Sequence, residues 1–417
     1  MMKPIPFTEI GKPNYADMSD ILQFEDLHII GSEFDKEKNM IIFYCEPRFE
    51  IGVCPECGEL CDKVHDRSRE RRVHDAPIRG CRVLLVFKST RLKCGRCEHI
   101  FTLPIREIVP NCTYTYRLVE EIANPKRKQD VATLARIYGL GYKTVESILK
   151  KAAEAKLKRR KDNPIRVVRV GIDEISNKKG HGNYVLVLTD LDRRILLDIL
   201  PDRTKKRLKE WLKNPPQGII LKGSLKVAAC DLWSHYKDAV LEVFSNVYVV
   251  ADRFHVMKNM NETINEERRK AQSEAKTKEE KKKLKGLRYI LLKNKSKLNE
   301  KERKRLEELK ESHPKLYKLW QLRQELHELY ERRISPRSGK KILNRWIRKA
   351  KKLKLVFLDK FCNTLQNWKR EILNFFTSRT TSGFVEGMNS KIRLFKRIAF
   401  GMPNFYHFRL RMLWACG

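Results

Sequence analysis

The sequence predicts a multidomain α/β protein: an amino-terminal zinc-ribbon-like β module, a helix-turn-helix, and an α/β core carrying a long α-helical insertion. Three observations predict it. Two CxxC pairs stand in a β-patterned first hundred residues, helical periodicity takes over near Arg117, and beyond about residue 160 apolar strand segments alternate with turns before a charged helical stretch. At 417 residues the chain is long enough for several cores. Its 89 Lys and Arg outnumber 52 Asp and Glu, leaving a formal charge of +37 that repels itself unless a polyanion neutralises it. Nucleic acid is the natural partner. No apolar run of about 18 or more residues and no signal-peptide pattern follows the polar start, so an intracellular, cytoplasmic and nucleoid-associated protein is expected, with no membrane partner.

The segment LHIIGSEFDKEKNMIIFY, from Leu27 to Tyr44, reads as two strands around a polar turn, and VLLVFKSTRL follows as a strand from Val83 to Leu92. Helical pattern runs from Arg117 to about Lys158, broken at Gly139 to Gly141, and the basic run KLKRRK at Lys156 to Lys161 reads as a linker. Next come VVRVGID, YVLVLTDL, RILLDIL, a helical RTKKRLKEWLK, LKVAACDL, a helix around Tyr236, and NVYVVADR. Three strands, helix, strand, helix, strand is the order of an RNase H-like fold. Beyond Met257 about a hundred residues are helical and charged; Leu319, Leu322, Leu326 and Leu329 form one apolar stripe, read as helix packing with solvated Lys and Glu faces. The resulting division is 1–112 zinc-binding β domain, 113–158 helix-turn-helix, 159–257 first part of the core, 258–376 helical insertion, and 377–417 final part of the core.

CPEC at Cys54 to Cys57 and CGRC at Cys94 to Cys97 are two knuckle-like turns, each able to present two thiolates to one tetrahedral zinc ion. Four thiolates leave no open position, so Zn²⁺ here is structural. The separation of the knuckles requires an intervening strand hairpin; Cys61, His65, His74 and His99 are possible substitute ligands. VATLARIYGLGYKTVESILKK, Val131 to Lys151, has the form of a helix-turn-helix whose second helix begins near Lys143. Val145, Ile148 and Leu149 face inward there, leaving Lys143, Thr144 and Ser147 for the major groove. An ordinary helical hairpin is the plainer alternative.

Asp173 closes a buried-looking strand, and Asp231 does the same in KVAACDLW. Neighbouring strands would bring the two carboxylates together, where they repel unless a cation lies between them. Glu386 lies in TTSGFVEGMNSKIRLFKR; Val385, Met388, Ile392 and Phe395 form an inward stripe, while Glu386, Asn389, Arg393 and Lys396 share another face. The triad Asp173, Asp231 and Glu386 is thus the candidate catalytic site, holding two Mg²⁺ (or Mn²⁺) ions. As plain turn-formers or a first-turn helix residue, the three would need no metal. Glu174, Asp190, Asp192 and Asp252 are rival carboxylates; Asp190 and Asp192 read best as hairpin turn residues, and Asp252 is the serious rival.

The elements CPEC, CGRC, GIDE, YVLVLTDL, CDLWSHY, ADRFHVMKNMN and TTSGFVEGMNSKIRLFKRIAFG resemble, in order, the ISL3 family of insertion-sequence transposases, over about Ile51 to Arg411. The resemblance implies an RNase H-like core interrupted by a helical insertion, a DDE triad at Asp173, Asp231 and Glu386, and binding to terminal inverted repeats. It implies double-stranded DNA as partner, both the element's ends and its target, and a homodimer or higher homo-oligomer on DNA. Asp252 to His255 resembles a D/CxxH signature, making Asp252, His255 and Asn389 possible accessory residues. Arg379, Lys391, Arg393, Lys396 and Arg397 are candidates for holding flanking phosphates. Two other readings remain: a non-enzymatic zinc and helix-turn-helix DNA-binding regulator, and an RNase H-like nuclease acting on RNA.

Overall fold

The computed structural model describes residues 17–124, 129–176, 184–381, 383–398 and 404–417. The first sixteen residues of the expected zinc-binding domain and the tail of the FKRIAFG motif lie outside them. The chain divides into two compact units, Met1–Ala152 and Ala153–Gly417.

In the first unit a short helix, α1 (Met18–Ile21), precedes β1 (Leu27–Asp35) and β2 (Met40–Pro47), the two strands expected around a polar turn. After the short β3 (Gly52–Val53) and β4 (Leu60–Cys61) come two long strands, β5 (Val64–Ile78) and β6 (Cys81–Lys93), then β7 (Ile100–Thr102). The main sheet has the order β1-β2-β6-β5, with β7 also on β6. Strand β6 alternates too little to be one-sided: Val83 to Phe87 are all buried. Ile78 pairs with Cys81 across a two-residue turn in which Arg79 (φ 49°) and Gly80 (φ 84°) are both left-handed, the turn type whose twist matches a hairpin.

Helices α2 (Tyr116–Ile122) and α3 (Val131–Tyr138) and the part of α4 (Tyr142–Asp162) up to Ala152 complete this unit. Asp130 caps α3 by accepting from the Thr133 amide at 2.9 Å, and Gly139 ends it at φ 68°. Leu118, Ile122, Leu134, Val145, Ile148 and Leu149 share one small core, which fixes the rotation of α4. The basic run expected as a linker is instead the last two turns of α4. No helix breaker occurs in KLKRRKD before Pro164, so the helix continues, and Lys156 and Arg160 donate to the carbonyls of Trp414 (2.9 Å) and Leu197 (3.1 Å) in the second unit to which they belong.

The second unit begins with β8 (Ile165–Arg166), β9 (Arg169–Ser176), β10 (Tyr184–Asp190), β11 (Ile195–Leu200), α5 (Lys205–Lys213), β12 (Ile219–Ile220), β13 (Val227–Cys230), α6 (Ser234–Val243) and β14 (Tyr248–Ala251). Five of these strands form a sheet of order β11-β10-β9-β13-β14, antiparallel up to β9 and parallel from β9 to β14. Val170, Ile172, Leu186, Leu208, Trp211 and Tyr236 join one face to α5 and α6. Eight helices follow, α7 (Arg253–Glu274), α8 (Lys278–Gly286), α9 (Arg288–Leu292), α10 (Glu300–Ser312), α11 (Pro314–Glu331), α12 (Pro336–Lys351), α13 (Val356–Asn367) and α14 (Lys369–Ser378). The expected leucine stripe on α11 is buried in their common core, which reaches Val250 and Ala251 of the sheet. The edge strand β14 is covered by α14, whose Asn374 donates to the Val249 carbonyl at 2.8 Å. Two last helices, α15 (Gly383–Ile398) and α16 (Phe405–Cys416), return to the sheet: α15 lies on β9 and α16 on β11. Among the described residues no helix is long and apolar enough to cross a membrane.

Candidate active site and zinc module

The parallel register of β13 against β9 ends at the pair Cys230 and Ile172. Asp231 and Asp173 are the next residue on each strand, so the two carboxylates are neighbours. Asp173 lies within β9, not at its end as expected, because β9 continues to Ser176 against β10 after β13 has stopped. Val170 and Ile172 belong to the core with α5 and α6, so alternation turns Gly171 and Asp173 to the opposite face, that of α15. Gly171 permits the approach of that helix: a Cβ there would stand 2.6 Å from Val385 Cγ2 and from Thr189 Oγ1.

The consequence is that Asn389, on the same face of α15 as Glu386, donates from Nδ2 to Asp173 Oδ2 at 2.8 Å. On the other side Asp252 caps α7, accepting from the Phe254 amide (3.1 Å), and its Oδ2 lies 3.1 Å from His255 Nδ1. His255 Nε2 points back to Asp173 Oδ1 at 4.0 Å. The rival carboxylate is therefore 2% exposed and occupied in capping and in orienting His255. Glu174, next to Asp173, faces the other way and is held by the Tyr236 hydroxyl (2.7 Å) and Arg203 (2.5 Å). Sequence reasoning missed this network, since neither Tyr236 nor Arg203 breaks the periodicity around it. Asp190 and Asp192 are turn residues as expected, with Asp190 accepting from the amides of Asp192 and Arg193.

Burial and the neighbouring charges set the electrostatics of the pair. Burial pushes Asp173 above the ordinary carboxylate range, with His255 partly offsetting it. Asp231 is pushed up to about 6 by burial, eased by His255 and reinforced by Glu174 and Asp173. Burial alone would lower His255, but the Asp252 contact and the charges of Asp173 and Asp231 outweigh it and raise it. Asp231 Oδ1 and Asn389 Oδ1 are both buried without a hydrogen-bond partner. A donor set of oxygens, two of them orphaned and two carboxyls resisting ionisation, fits a hard divalent cation. Glu386, one turn before Asn389, is exposed; among the described residues three carboxylates are not gathered within reach of one ion.

Of the basic candidates, Arg379 donates to the Arg332 carbonyl (2.7 Å), Lys391 to that of Ala415 (3.0 Å) and Lys396 to that of Ser176 (3.1 Å). Arg393 and Arg397 are exposed. In the first unit Lys143 is exposed at the start of α4, while Thr144 and Ser147 are half-buried.

The hairpin β5–β6 returns the second knuckle to the first. Cys54, Cys57, Cys94 and Cys97 have sulfurs within 4.8 Å of one another, with contacts of 3.6 Å (Cys54 to Cys97) and 3.5 Å (Cys57 to Cys94). A tetrahedron with metal–sulfur bonds of about 2.3 Å has edges of about 3.8 Å, so the four thiols already stand close to zinc-ligand spacing. Both knuckles have the same backbone: Gly58 donates to the Cys54 carbonyl and Glu98 to that of Cys94, and both are left-handed. Amide donation from Cys97, joined by Arg96, brings the Cys94 thiol down to about 6 against the opposing effect of burial. All eleven cysteines are free.

A quartet of cysteines at zinc-ligand spacing is thus followed by an α/β unit in which two carboxylates, Asp173 and Asp231, follow the last residue pair of neighbouring strands. Residues 170–412 match the ISL3 DDE family described as transposase, and residues 51–97 match the zinc finger of the transposases of IS204, IS1001, IS1096 and IS1165. The chain belongs to the ISL3 family of transposases. It is similar to the transposase for insertion sequence element IS1001 of Bordetella parapertussis (26% identity, 88% of this chain, 90% of the relative). It is also similar to the transposase for IS1557 of Mycobacterium tuberculosis (27% identity, 84% of this chain, 82% of the relative). Among solved structures, the Drosophila P element transposase strand transfer complex aligns over 72% of this chain and 90% of that one, at 10% identity and a TM-score of 0.40. The protein is a DNA transposase and an enzyme.

Proposed function

We propose that this transposase binds the terminal inverted repeats of its insertion sequence and performs strand cleavage and strand transfer with Asp173, Asp231 and Glu386. The observation that carries the reading is the pairing of Asp173 with Asp231 just beyond the last parallel strand pair, with buried oxygens left unpartnered. The order β11-β10-β9-β13-β14 with α5 and α6 on one face is that of an RNase H-like core, and α7 to α14 are its insertion. On this reading the chain is divided into 1–112, 113–158, 159–257, 258–376 and 377–417.

Asp173, Asp231 and Glu386 would hold two Mg²⁺ or Mn²⁺ ions, which when bound supply charge neutralisation and activation of the attacking oxygen. Asn389 holds Asp173 through its 2.8 Å bond to Oδ2, while Oδ1 accepts from the Glu174 amide at 2.7 Å and lies 4.0 Å from His255 Nε2. Glu386 sits one turn from Asn389 on the same helix face and, being exposed, can turn toward the pair without breaking a contact. His255, held by Asp252 and raised above its ordinary range by the carboxylates around it, stands 4.0 Å from Asp173 and, when protonated, limits the repulsion between the two carboxylates. Arg393 and Arg397 face solvent on that helix and suit the flanking phosphates, with Arg379, Lys391 and Lys396 bordering them.

Zn²⁺ on Cys54, Cys57, Cys94 and Cys97 would fold the knuckle core, and Lys143, Thr144 and Ser147 would read the repeat. Two catalytic chains holding two DNA ends, in the cytoplasm on the nucleoid, complete the reading. Incubation with labelled duplex bearing the inverted repeat tests it. Specific cleavage at the repeat's 3′ end with Mg²⁺ is expected; specific binding alone indicates a regulator, and preference for RNA indicates a nuclease of another kind.

A further inference from the structure

Helix α12 carries seven Lys and Arg in sixteen residues and no Asp or Glu. Its buried side is fixed by Leu343, Trp346, Ile347 and Ala350, with Trp346 Nε1 donating to the Leu322 carbonyl at 2.8 Å. That anchoring fixes which side faces water. Arg337, Lys341, Arg345 and Arg348, continued by the C-cap Lys352, are spaced four, four, three and four apart and are all exposed. At 100° per residue the five fall within about 80° of arc, a straight stripe about 22 Å long. None of the five has an ion-pair partner among the described residues, whereas Lys349, off the stripe, pairs with Glu325. Other charged helices of the insertion differ: α10 alternates its signs and α8 opens on Glu279 and Glu280. Like charges three and four apart weaken a helix, so a solvated face alone gives no reason for their accumulation.

The stripe begins next to the segment that leads to Glu386. Gly339 in the first turn of α12 packs against the Phe376 ring, with room for no more than 3.0 Å to a Cβ, and Arg379 at the end of α14 donates to the Arg332 carbonyl just before α12. The amino end of α12, where the stripe begins, therefore lies beside the end of α14, from which the chain runs on to α15.

We propose that this face of α12 is a second DNA-binding site, a phosphate track for duplex DNA that leaves the active site, used without reading sequence. It rests on the nuclease reading above. Duplex DNA carries a charge per about 1.7 Å of axis, so about a dozen phosphates span the stripe's length, enough to engage all five cations on the near strand or groove edge. The occupant is DNA outside the repeat, either the flank at the transposon end or the target.

The test uses the full chain with Arg337→Gln, Lys341→Gln, Arg345→Gln, Arg348→Gln and Lys352→Gln combined. Its control removes five exposed cations elsewhere in the insertion: Lys281→Gln, Lys282→Gln, Lys301→Gln, Arg303→Gln and Lys304→Gln. Affinity for three duplexes is followed against salt: the repeat alone, the repeat with flank, and unrelated target DNA. The stripe variant is expected to lessen the log-log salt slope by about 4, at about 0.9 per lost phosphate contact, on DNA outside the repeat, while the control changes it by less than about 1. Loss confined to the flank-bearing duplex assigns the track to flank, and loss on unrelated duplex assigns it to target. Equal slopes for the stripe variant and the control overturn the proposal. Because wild-type cleavage of the repeat is scored in the same preparations, failure of the nuclease reading is seen separately from failure of the track.

Discussion

Replacing Asp231 by Asn should make the metal-free protein more stable while removing its activity. A carboxyl whose folded pKa lies above its unfolded value favours folding most when protonated. That contribution is fully present below about 3.8 and is lost as pH rises through the folded value of about 6. The gap of about two units corresponds to about 3 kcal/mol of destabilisation in wild type at pH 8, falling to about 1 kcal/mol at pH 4.5. Asn keeps the size and the amide-accepting oxygen but has no charge to bury. All six tryptophans, Trp211, Trp233, Trp320, Trp346, Trp368 and Trp414, lie in the second unit, so their fluorescence reports its unfolding alone. Urea denaturation without added divalent metal should show the variant more stable by about 3 kcal/mol at pH 8, roughly 8 °C in melting temperature, and by about a third of that at pH 4.5. Added Mg²⁺ should stabilise wild type and narrow the gap. A variant equal to or weaker than wild type at pH 8, or a gain independent of pH, refutes the account of Asp231 as an uncompensated buried charge.

Gly171→Ala places a methyl group 2.6 Å from Val385 and Thr189, so α15 must shift; about 1–3 kcal/mol of stability and most cleavage should be lost, with repeat binding by gel shift unchanged. Cys57→Ser should abolish the single zinc found by metal analysis and unfold the knuckle core, weakening repeat-specific binding; zinc-free wild type purified without chelator would remove the basis of this expectation. Glu98→Gly, at a left-handed position that Gly58 fills in the matching knuckle, should stabilise the zinc module by about 1 kcal/mol in thermal melts, and a loss of stability would contradict the strain assigned there.

Much of this architecture was legible because strands and helices of the second unit announce themselves by apolar runs. YVLVLTDL, RILLDIL and NVYVVADR contain β10, β11 and β14, VVRVGID covers β9 as far as Asp173 but not its continuation to Ser176, and RTKKRLKEWLK contains α5. Strand β5 was not legible: VHDRSRERRVHDAPI shows no apolar alternation, because its stability comes from pairing along the length of β6. The run KLKRRK reads as a linker by charge, yet helix propensity and carbonyl acceptors in the second unit keep it in α4. At the site, Asp173 and Asp231 stand out as carboxylates in apolar strands. Asn389 was visible only as a helix-face neighbour of Glu386, and its bond to Asp173 depends on α15 meeting β9 at Gly171, a long-range contact with no local signature. The stripe on α12 looks in sequence like any basic helix face; only the burial of Trp346 and Leu343 shows that its cations share one exposed side.

The central claim is tested most directly by cleavage of labelled inverted-repeat duplex in Mg²⁺ by wild type and by Asp173→Asn, Asp231→Asn, Glu386→Gln and Asp252→Asn. The three triad variants should bind the repeat as wild type does and lose cleavage by several orders of magnitude, and a double variant should be about as inactive as its worse single parent. Asp252→Asn, acting through the α7 cap and His255, should retain measurable cleavage. Abolished cleavage in Asp252→Asn with most activity kept in Asp231→Asn contradicts the assignment of the second carboxylate, and normal cleavage by all four contradicts the nuclease site itself.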